Sequence, residues 1–375
     1  MAAETVPERI SSEERALLAD SAARLFERAG GLARARRQRG RRPVLDRAVW
    51  KEMAEAGLLG LLLPEERGGA GLGPLAAGAV AEAIGRHVVP EPFTAAAVLA
   101  ADLLAALDTP AARDLASQLA AGDVVPILAW QERGVEARTL LDDGVLRGGK
   151  SWVLGGDAAD PLLVTAQEGD APLLLCLPPA APGLVAEHRR TADGRFLSEF
   201  RFDGVALAEN AVIARGDHVT AAVARAVDRA TALAAAEMVG AAAAALAMTL
   251  DYLRTRHQFG RPIGSFQALR HRAVDLFMHL EIARAAIEEV LAALEDAPDP
   301  SHRAALASRA KARAGELARR ICRETIQMHG ALGYTEEYDL GLFVNRLATL
   351  SAWLGDDAFH RRRWFARTMP VGEGA

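Results

Sequence analysis

The sequence predicts an α+β protein, mainly α, in which a helical first third and a helical last part flank a middle antiparallel β segment. Three observations carry this. Apolar residues recur at helical spacing through the first 120 residues and again from Val219 almost to the end. Between Val124 and Val212 the texture changes to short apolar runs separated by glycine, proline or aspartate, which are strand lengths with strand punctuation. Alanine is abundant while aromatic residues make up only 5%, a balance suited to closely packed helices. A chain of 375 residues exceeds the usual domain length two- to threefold, so domains are expected at 1–122, 123–215 and 216–375.

Taken in order, Ser11 and Glu14 offer a capping box ahead of a face formed by Leu17, Leu18, Ala22, Leu25 and Phe26, and Gly30-Gly31 supplies a stop. The arginine run from Arg34 to Arg42, closed by Pro43, reads either as a phosphate or membrane contact or as a solvated helix end and turn. The second is the commoner fate of a charge run. Helices follow over Asp46–Ala56, Leu75–Ile84 and Ala95–Ala120. Strands are predicted over Val124–Trp130, Val145–Arg147, Ser151–Leu154, Pro161–Thr165, Pro172–Leu177 and Glu199–Leu207. A long helix then runs from Val219 to Gly260, Pro262 prevents its continuation, and a new helix starts near Ser265. Pro298-Asp299-Pro300 breaks the pattern once more, and Ser301 can cap the helix after it. No internal repeat is evident.

Composition excludes several classes. With 51% hydrophobic and 25% charged residues the chain is not disordered as a whole. Forty-four basic against 49 acidic residues give a net charge of -5, which argues against a general nucleic-acid binder. Cys176 and Cys322 lie far apart, which excludes a CxxC redox or zinc site and suits a reduced, cytoplasmic compartment. The opening residues are acidic and lack an apolar core, so no secretory leader is expected. Charge-free stretches such as Ala171 to Ala186 are short for a membrane span and contain prolines, so no membrane partner is expected. No HExxH, nucleophile elbow or histidine cluster occurs, and the nine histidines are scattered, so no metal is expected.

Two motifs are decoys. Gly144 to Ser151 satisfies the phosphate-loop pattern GxxxxGK[ST], but that loop needs a following helix, and Trp152-Val153-Leu154 reads as strand. Gly148-Gly149 suits a hairpin turn there. Gly71-Leu72-Gly73-Pro74-Leu75-Ala76 is a degenerate dinucleotide fingerprint that follows an acidic loop rather than a strand, so it reads as a loop leading into a helix.

The segment Tyr252 to Gln267 is the most informative. A helix end, Gly260 and Pro262 expose an arginine, an aromatic ring and an amide together, which suits a large flat ligand bearing phosphate. This segment resembles the acyl-CoA dehydrogenase family, and the resemblance covers nearly the whole chain. Gly57-Leu-Leu-Gly60 with Pro64 to Gly69, Gly149-Lys150 with Trp152, Phe202 to Val205 with Glu209-Asn210, and Gln327 to Tyr334 with Thr335 to Glu337 are similar to family segments in the same order.

The resemblance implies a helical N-terminal domain, a β middle domain and a C-terminal four-helix bundle. It also implies FAD bound across a subunit interface, an acyl-CoA substrate, and an electron-transfer flavoprotein as electron acceptor. Carried over by residue, Arg256, Phe259 and Gln267 would contact the FAD pyrophosphate region, Gln327 and Gly330 the adenine end, and Trp152 the isoalloxazine. A packing role is the alternative for each. The implied reaction is α,β-dehydrogenation, in which a general base removes the α-proton and hydride leaves for flavin N5.

The chain departs from the family where the base should stand. The usual late glutamate falls at Leu354 and the alternative helix position at Ala230, and neither can take a proton. Glu237, two turns and about 10 Å further along that helix, is the candidate base. A buried hydrogen-bonded helix contact is its alternative. Asp356 and Asp357 flank the late turn but begin a charged helix. The middle signature reads Trp130-Gln131-Glu132-Arg133-Gly134 in place of Thr-Glu-Pro, and the late loop has Ala331 in place of a glycine. The segments Phe266 to His271 and Leu354 to His360 resemble a bacterial branch, similar to pimeloyl-CoA and steroid side-chain dehydrogenases, in which two unlike chains pair. Three expectations follow: a dehydrogenase working as a homo-oligomer, a catalytically weak partner of a paralogous chain, or a dehydrogenase of carrier-protein-bound thioesters.

Overall fold

Ser11 caps the first helix as the sequence predicts. Its hydroxyl accepts from the Glu14 amide (3.2 Å) while the Glu14 carboxylate accepts from the Ser11 amide (2.8 Å), and α1 (Ser12–Arg28) buries Ala22, Leu25 and Phe26. The computed structural model describes residues 10–134, 138–208 and 210–369, so Glu209 of the expected exit motif lies outside the described residues.

Gly30 and Gly31 take positive φ (107° and 48°), yet they only turn the chain into α2 (Gly31–Gln38). The arginine run is therefore partly interior. Arg34 is buried and forks onto Glu91 at 2.7 and 2.8 Å. α3 (Arg47–Glu55) is capped by Asp46, and α4 is Gly73–His87. A π-helical segment, Thr94–Ala100, continues into α5 (Ala101–Ala105), and α6 (Pro110–Ala120) follows. The single helix expected over 95–120 is thus split. Thr109 caps α6 by accepting from Ala112 N (3.2 Å), and Pro110 has no amide to continue the helix before it.

Among the described residues eight strands form one sheet: β1 (Ile127–Ala129), β2 (Leu140–Asp142), β3 (Val145–Leu154), β4 (Leu162–Glu168), β5 (Ala171–Leu177), β6 (Leu184–Arg190), β7 (Phe196–Ala206) and β8 (Val212–Arg215). The order is β6-β7-β3-β2-β4-β5-β8, with β1 joined to β4. Pairing is antiparallel except that β4 takes β1 and β2 in parallel, which short-range pattern could not show. β6 escaped prediction because it is mostly exposed and carries no apolar run. The hairpin turn is Asp143-Gly144 (φ 47° and 76°), not Gly148-Gly149, which lie inside β3 opposite Phe202 and Arg201. Gly148 is needed there because a Cβ would stand 2.4 Å from the Arg138 carbonyl.

The remaining helices are α7 (Asp217–Thr255), α8 (Gln267–Ala293), α9 (Pro300–His329), α10 (Leu340–Ala352) and α11 (Asp357–Thr368), with a two-strand hairpin, β9 (His257–Gln258) and β10 (Arg261–Pro262), between α7 and α8. Asp299, not Ser301, caps α9, since Pro300 already occupies its first turn and the His302 amide donates to Asp299 (2.7 Å).

α7 is the axis of the molecule. It is long and apolar enough to cross a membrane by length and composition, but 78% of its apolar window is buried inside the fold. Its alanines let α4 cross at backbone contact. A Cβ on Gly85 would fall 1.9 Å from the Glu237 carbonyl, and one on Gly240 would fall 1.9 Å from the Glu82 carbonyl.

Candidate functional site

The turn after α7 is built by a helix that stops early. Arg256 leaves helical geometry (φ -77°, ψ 122°), so α7 ends at Thr255 rather than at Gly260, and Phe259 and Gly260 close the β9–β10 hairpin with positive φ (53° and 77°). Gly264 allows close return, since its Cβ would meet the Leu253 carbonyl at 2.8 Å. Arg256, Phe259 and Gln267 are all exposed, Phe259 at 90%. Among the described residues the Arg256 guanidinium has no hydrogen-bond or ion-pair partner, whereas Arg261 stacks on Phe266 at 4.2 Å. An unpaired guanidinium, a bare ring and an exposed amide on one turn fit an anionic dinucleotide.

The late loop lies beside this turn. His329 at the end of α9 stacks on Tyr252 of α7 (4.5 Å, 25°), and its Nδ1 donates to Thr325 O (2.8 Å), which leaves Nε2 to accept from the Tyr338 hydroxyl (3.2 Å). Burial pushes the His329 imidazole below its usual pKa, in keeping with that neutral form. Gln327 and Gly330 (φ 61°) are exposed on the same stretch. The structure therefore brings five of the six expected cofactor residues to one end of the helical bundle.

Trp152 is the sixth, and it belongs to the sheet. It sits with φ 63° at a register break between Lys150 and Val153 of β3, half-exposed, with the Arg133 guanidinium 5.2 Å from its ring centre. Lys150, the phosphate-loop decoy, is buried and donates to Glu132 (2.7 Å) and the Trp130 carbonyl (3.4 Å), with no helix after it. Burial depresses Lys150; at Glu132 burial is the largest single influence and pushes upward, but Lys150 and Thr139 together outweigh it and hold that carboxylate low. A cavity of about 270 Å³ lies between these residues and Val219, Thr220 and Val223 of α7.

Glu237, the candidate base, is buried in a network of charges. One carboxylate oxygen accepts from Arg346 (2.7 Å) with Arg195 3.9 Å away, and the other accepts from the Thr94 hydroxyl (2.9 Å). Arg346 also donates to Asp193 (2.9 Å) and to the Val89 carbonyl (2.9 Å), and Arg195 donates to Asp193 (2.7 Å). All four charged side chains are buried. A buried carboxylate whose charge is matched by a guanidinium and a hydroxyl inside the fold favours the alternative expectation for Glu237, a buried hydrogen-bonded contact, over the base. The sequence singled out Glu237 but not its partners. Arg346, Asp193 and Arg195 are distant in sequence and look like surface charges there.

The late turn is held from below. Leu354 takes φ 61°, Lys311 donates to the carbonyls of Gly355 (2.7 Å) and Ser351 (3.3 Å), and His360 Nε2 donates to Leu354 O (2.9 Å). Burial lowers Lys311 to about 7, and burial with the nearby Lys311 charge lowers His360 to about 4. Asp356 caps α11 through the Phe359 amide (2.7 Å) and Asp357 pairs with Arg319, so neither acid is spare. Ala230 is fully buried on α7.

Comparison with known proteins bears on the fold as a whole. Residues 12–132 match the family profile described as acyl-CoA dehydrogenase, N-terminal domain, and residues 219–369 match the one described as acyl-CoA dehydrogenase, C-terminal domain. The acyl-CoA dehydrogenase IpdE2 of Mycobacterium tuberculosis is 33% identical over 336 residues, covering 89% of this chain and 91% of the relative. Among solved structures, a variant of the Tcur3481-Tcur3483 steroid ACAD superposes with a TM-score of 0.83 at 31% identity, covering 95% of this chain and 97% of the other. A glutaryl-CoA dehydrogenase of Mycobacterium smegmatis in complex with FADH2 shares the fold at a TM-score of 0.83 and 20% identity, covering 97% of each chain.

Proposed function

The chain belongs to the acyl-CoA dehydrogenase family, and from that premise we propose that it is one subunit of an FAD-dependent assembly that oxidises an acyl-CoA thioester to the α,β-enoyl thioester, with the catalytic carboxylate supplied by a paired family chain. One observation carries the reading: no carboxylate is free at either base position, since Leu354 and Ala230 are inert and Glu237 is locked to Arg346 and Thr94. A missing base costs about 10²–10⁴ in rate.

The flavin, when bound, supplies the hydride acceptor. This chain's residues would hold it in two places. Arg256 would fork onto the pyrophosphate with Gln267 orienting it and Phe259 packing against it, and Gln327 and Gly330 would meet the adenine end. Trp152, with Arg133 over its ring, would flank the isoalloxazine and keep water from it. The bundle-end turn follows α7 whereas Trp152 belongs to β3 of the sheet, a division that supports a cofactor shared between subunits. A stripe of exposed apolar residues on α8, Val274, Phe277, Met278 and Ile282, supports a further chain against that face. The structure at 31% identity is likewise named as a pair. The same reading divides the chain at 1–122, 123–215 and 216–375 and passes electrons to an electron-transfer flavoprotein.

Co-expression with a paralogous family chain tests it. The complex should purify yellow and bleach anaerobically on adding its acyl-CoA, at a rate at least about 10² above this chain alone. A chain that bleaches as fast alone overturns the pairing, and a pair that never bleaches overturns the dehydrogenase.

A further inference from the structure

We propose that Arg36, in the arginine run, is a positioning residue for the adenine end of the flavin: from α2 it clamps the late loop, Gly330 to Asp339, in the shape that presents Gln327 and Gly330. This rests on the placement of the adenine end at Gln327 and Gly330 given above, and Arg36 acts through that loop rather than on the flavin.

Six arginines stand between Arg34 and Arg42, and the sequence leaves open whether they meet phosphate or solvent. The structure gives two of them a third role. Arg34 forks onto Glu91, whose carboxylate is fully buried and also accepts from the Asp46 amide (3.2 Å), so α2 is fastened to the N-terminal core at that residue. Two residues further, on the other side of the helix by its period of about 3.6, Arg36 reaches the C-terminal part of the chain. Its Nη1 donates to the Glu336 carbonyl, and its Nη2 donates to the Glu337 carbonyl (3.2 Å) and to an Asp339 carboxylate oxygen (2.5 Å). These acceptors lie 300 to 303 residues away in sequence.

A partly exposed ion pair alone contributes little. Here one planar fork also holds two adjacent backbone carbonyls, which fixes the path of a loop rather than the place of a side chain. The loop needs such a hold. Gly330 ends α9 with φ 61° and ψ -138°, a conformation that glycine adopts freely, so the chain leaves the helix at a point of little backbone restraint. Further on, the Tyr338 hydroxyl donates back to His329, which stacks on Tyr252 just ahead of the Arg256 turn. The loop is thus tied at Tyr338 to the bundle end and at Glu336, Glu337 and Asp339 to α2, with the exposed Gln327 and Gly330 at its root. Trp152, assigned to the isoalloxazine, stands on β3 instead. A ligand without adenine is therefore indifferent to the clamp.

The test uses the complex with the paired chain, stripped of flavin and titrated with FAD and with FMN, which carries the isoalloxazine but no adenine. Arg36→Met should weaken FAD about tenfold, the scale of a lost charge-assisted hydrogen bond, and leave FMN within about twofold, so the preference for FAD falls. Arg36→Lys keeps the charge without the fork and should fall between Arg36→Met and the parent. Amide exchange over residues 330–339, measured on this chain without flavin, should quicken about tenfold in Arg36→Met while α9 stays within about twofold. Equal losses for FAD and FMN, or no loss for FAD, overturn the positioning role, and unchanged exchange overturns the clamp. Where the parent holds FMN too weakly to titrate, ADP competing with FAD takes its place, and an ADP affinity untouched by Arg36→Met overturns the proposal. A parent complex that binds no FAD sinks the cofactor reading instead, and the exchange rates then decide the clamp by themselves.

Discussion

Arg346→Met should be the most damaging single change away from the cofactor residues. The guanidinium makes three donations at 2.7–2.9 Å, to Glu237, Asp193 and the Val89 carbonyl, so one side chain ties α7, the sheet and the N-terminal helices to α10. Methionine keeps most of the volume and removes the charge. Glu237 then retains Thr94 and a guanidinium 3.9 Å away, Asp193 retains Thr191, and Arg195 is left as the cation beside both acids. Breaking a buried pair in this way costs about 3–5 kcal/mol, which lowers Tm by roughly 6–20 °C for a cooperative unit of 150–250 residues.

The pH dependence has a definite sign. Burial alone would raise Asp193, but Arg195 and Arg346 outweigh it and hold the carboxyl below its ordinary value of 3.8. A depressed carboxylate stabilises the fold above its unfolded pKa, and that stability is lost as pH falls through the folded pKa. In the variant that depression is weakened, so its deficit should be full at pH 7 and should shrink at about pH 3, below the unfolded value. Denaturant unfolding followed by circular dichroism at both pH values measures this. A double-mutant cycle with Glu237→Gln should give a coupling of about 2 kcal/mol. A loss below about 1 kcal/mol, equal at both pH values, would refute the network argument.

Arg256→Gln and Gln267→Ala in the paired complex should each weaken flavin retention by about tenfold or more, read as flavin absorbance per protein; unchanged stoichiometry after dialysis would remove them from the cofactor site. Lys311→Met should gain stability at pH 6 relative to the unaltered chain. Burial holds Lys311 at about 7 in the fold, so its charging penalty is full below pH 7 and is relieved as pH rises towards the unfolded value, by up to about 1.4 kcal/mol per pH unit. A stability difference that does not narrow between pH 7 and pH 10 contradicts this. Gly85→Ala should cost at least about 3 kcal/mol, since its Cβ would lie 1.9 Å from the Glu237 carbonyl and backbone cannot rotate aside; a Tm within a degree of the parent would show that the helices separate easily.

The first helix and its cap were legible because local signals decide them: the Ser11–Glu14 box needs only four neighbouring residues, and the apolar spacing of α1 only two turns. β6 was not legible, because an exposed strand is specified by its neighbour β7 rather than by its own pattern. The early end of α7 at Thr255 was missed for a related reason. The hairpin to Arg261–Pro262 competes with the last helical turn, and nothing local weighs one against the other. At the candidate site the exposed turn at Arg256 to Gln267 was legible, since its residues are contiguous. The surroundings of Glu237 were not. They are set by Arg346, 109 residues away, and by Thr94, 143 residues away.

The glycine crossing of α4 and α7 has a mechanical consequence. α7 has 39 residues and so spans about 58 Å, with Val219 and Thr220 near one end at the sheet cavity and the Arg256 turn just past the other. It is gripped near its middle, at Glu237 to Gly240, by backbone against backbone. A helix gripped there by backbone cannot slide along its axis without parting from α4, so the sheet cavity and the Arg256 turn are held at a fixed spacing by one rigid element.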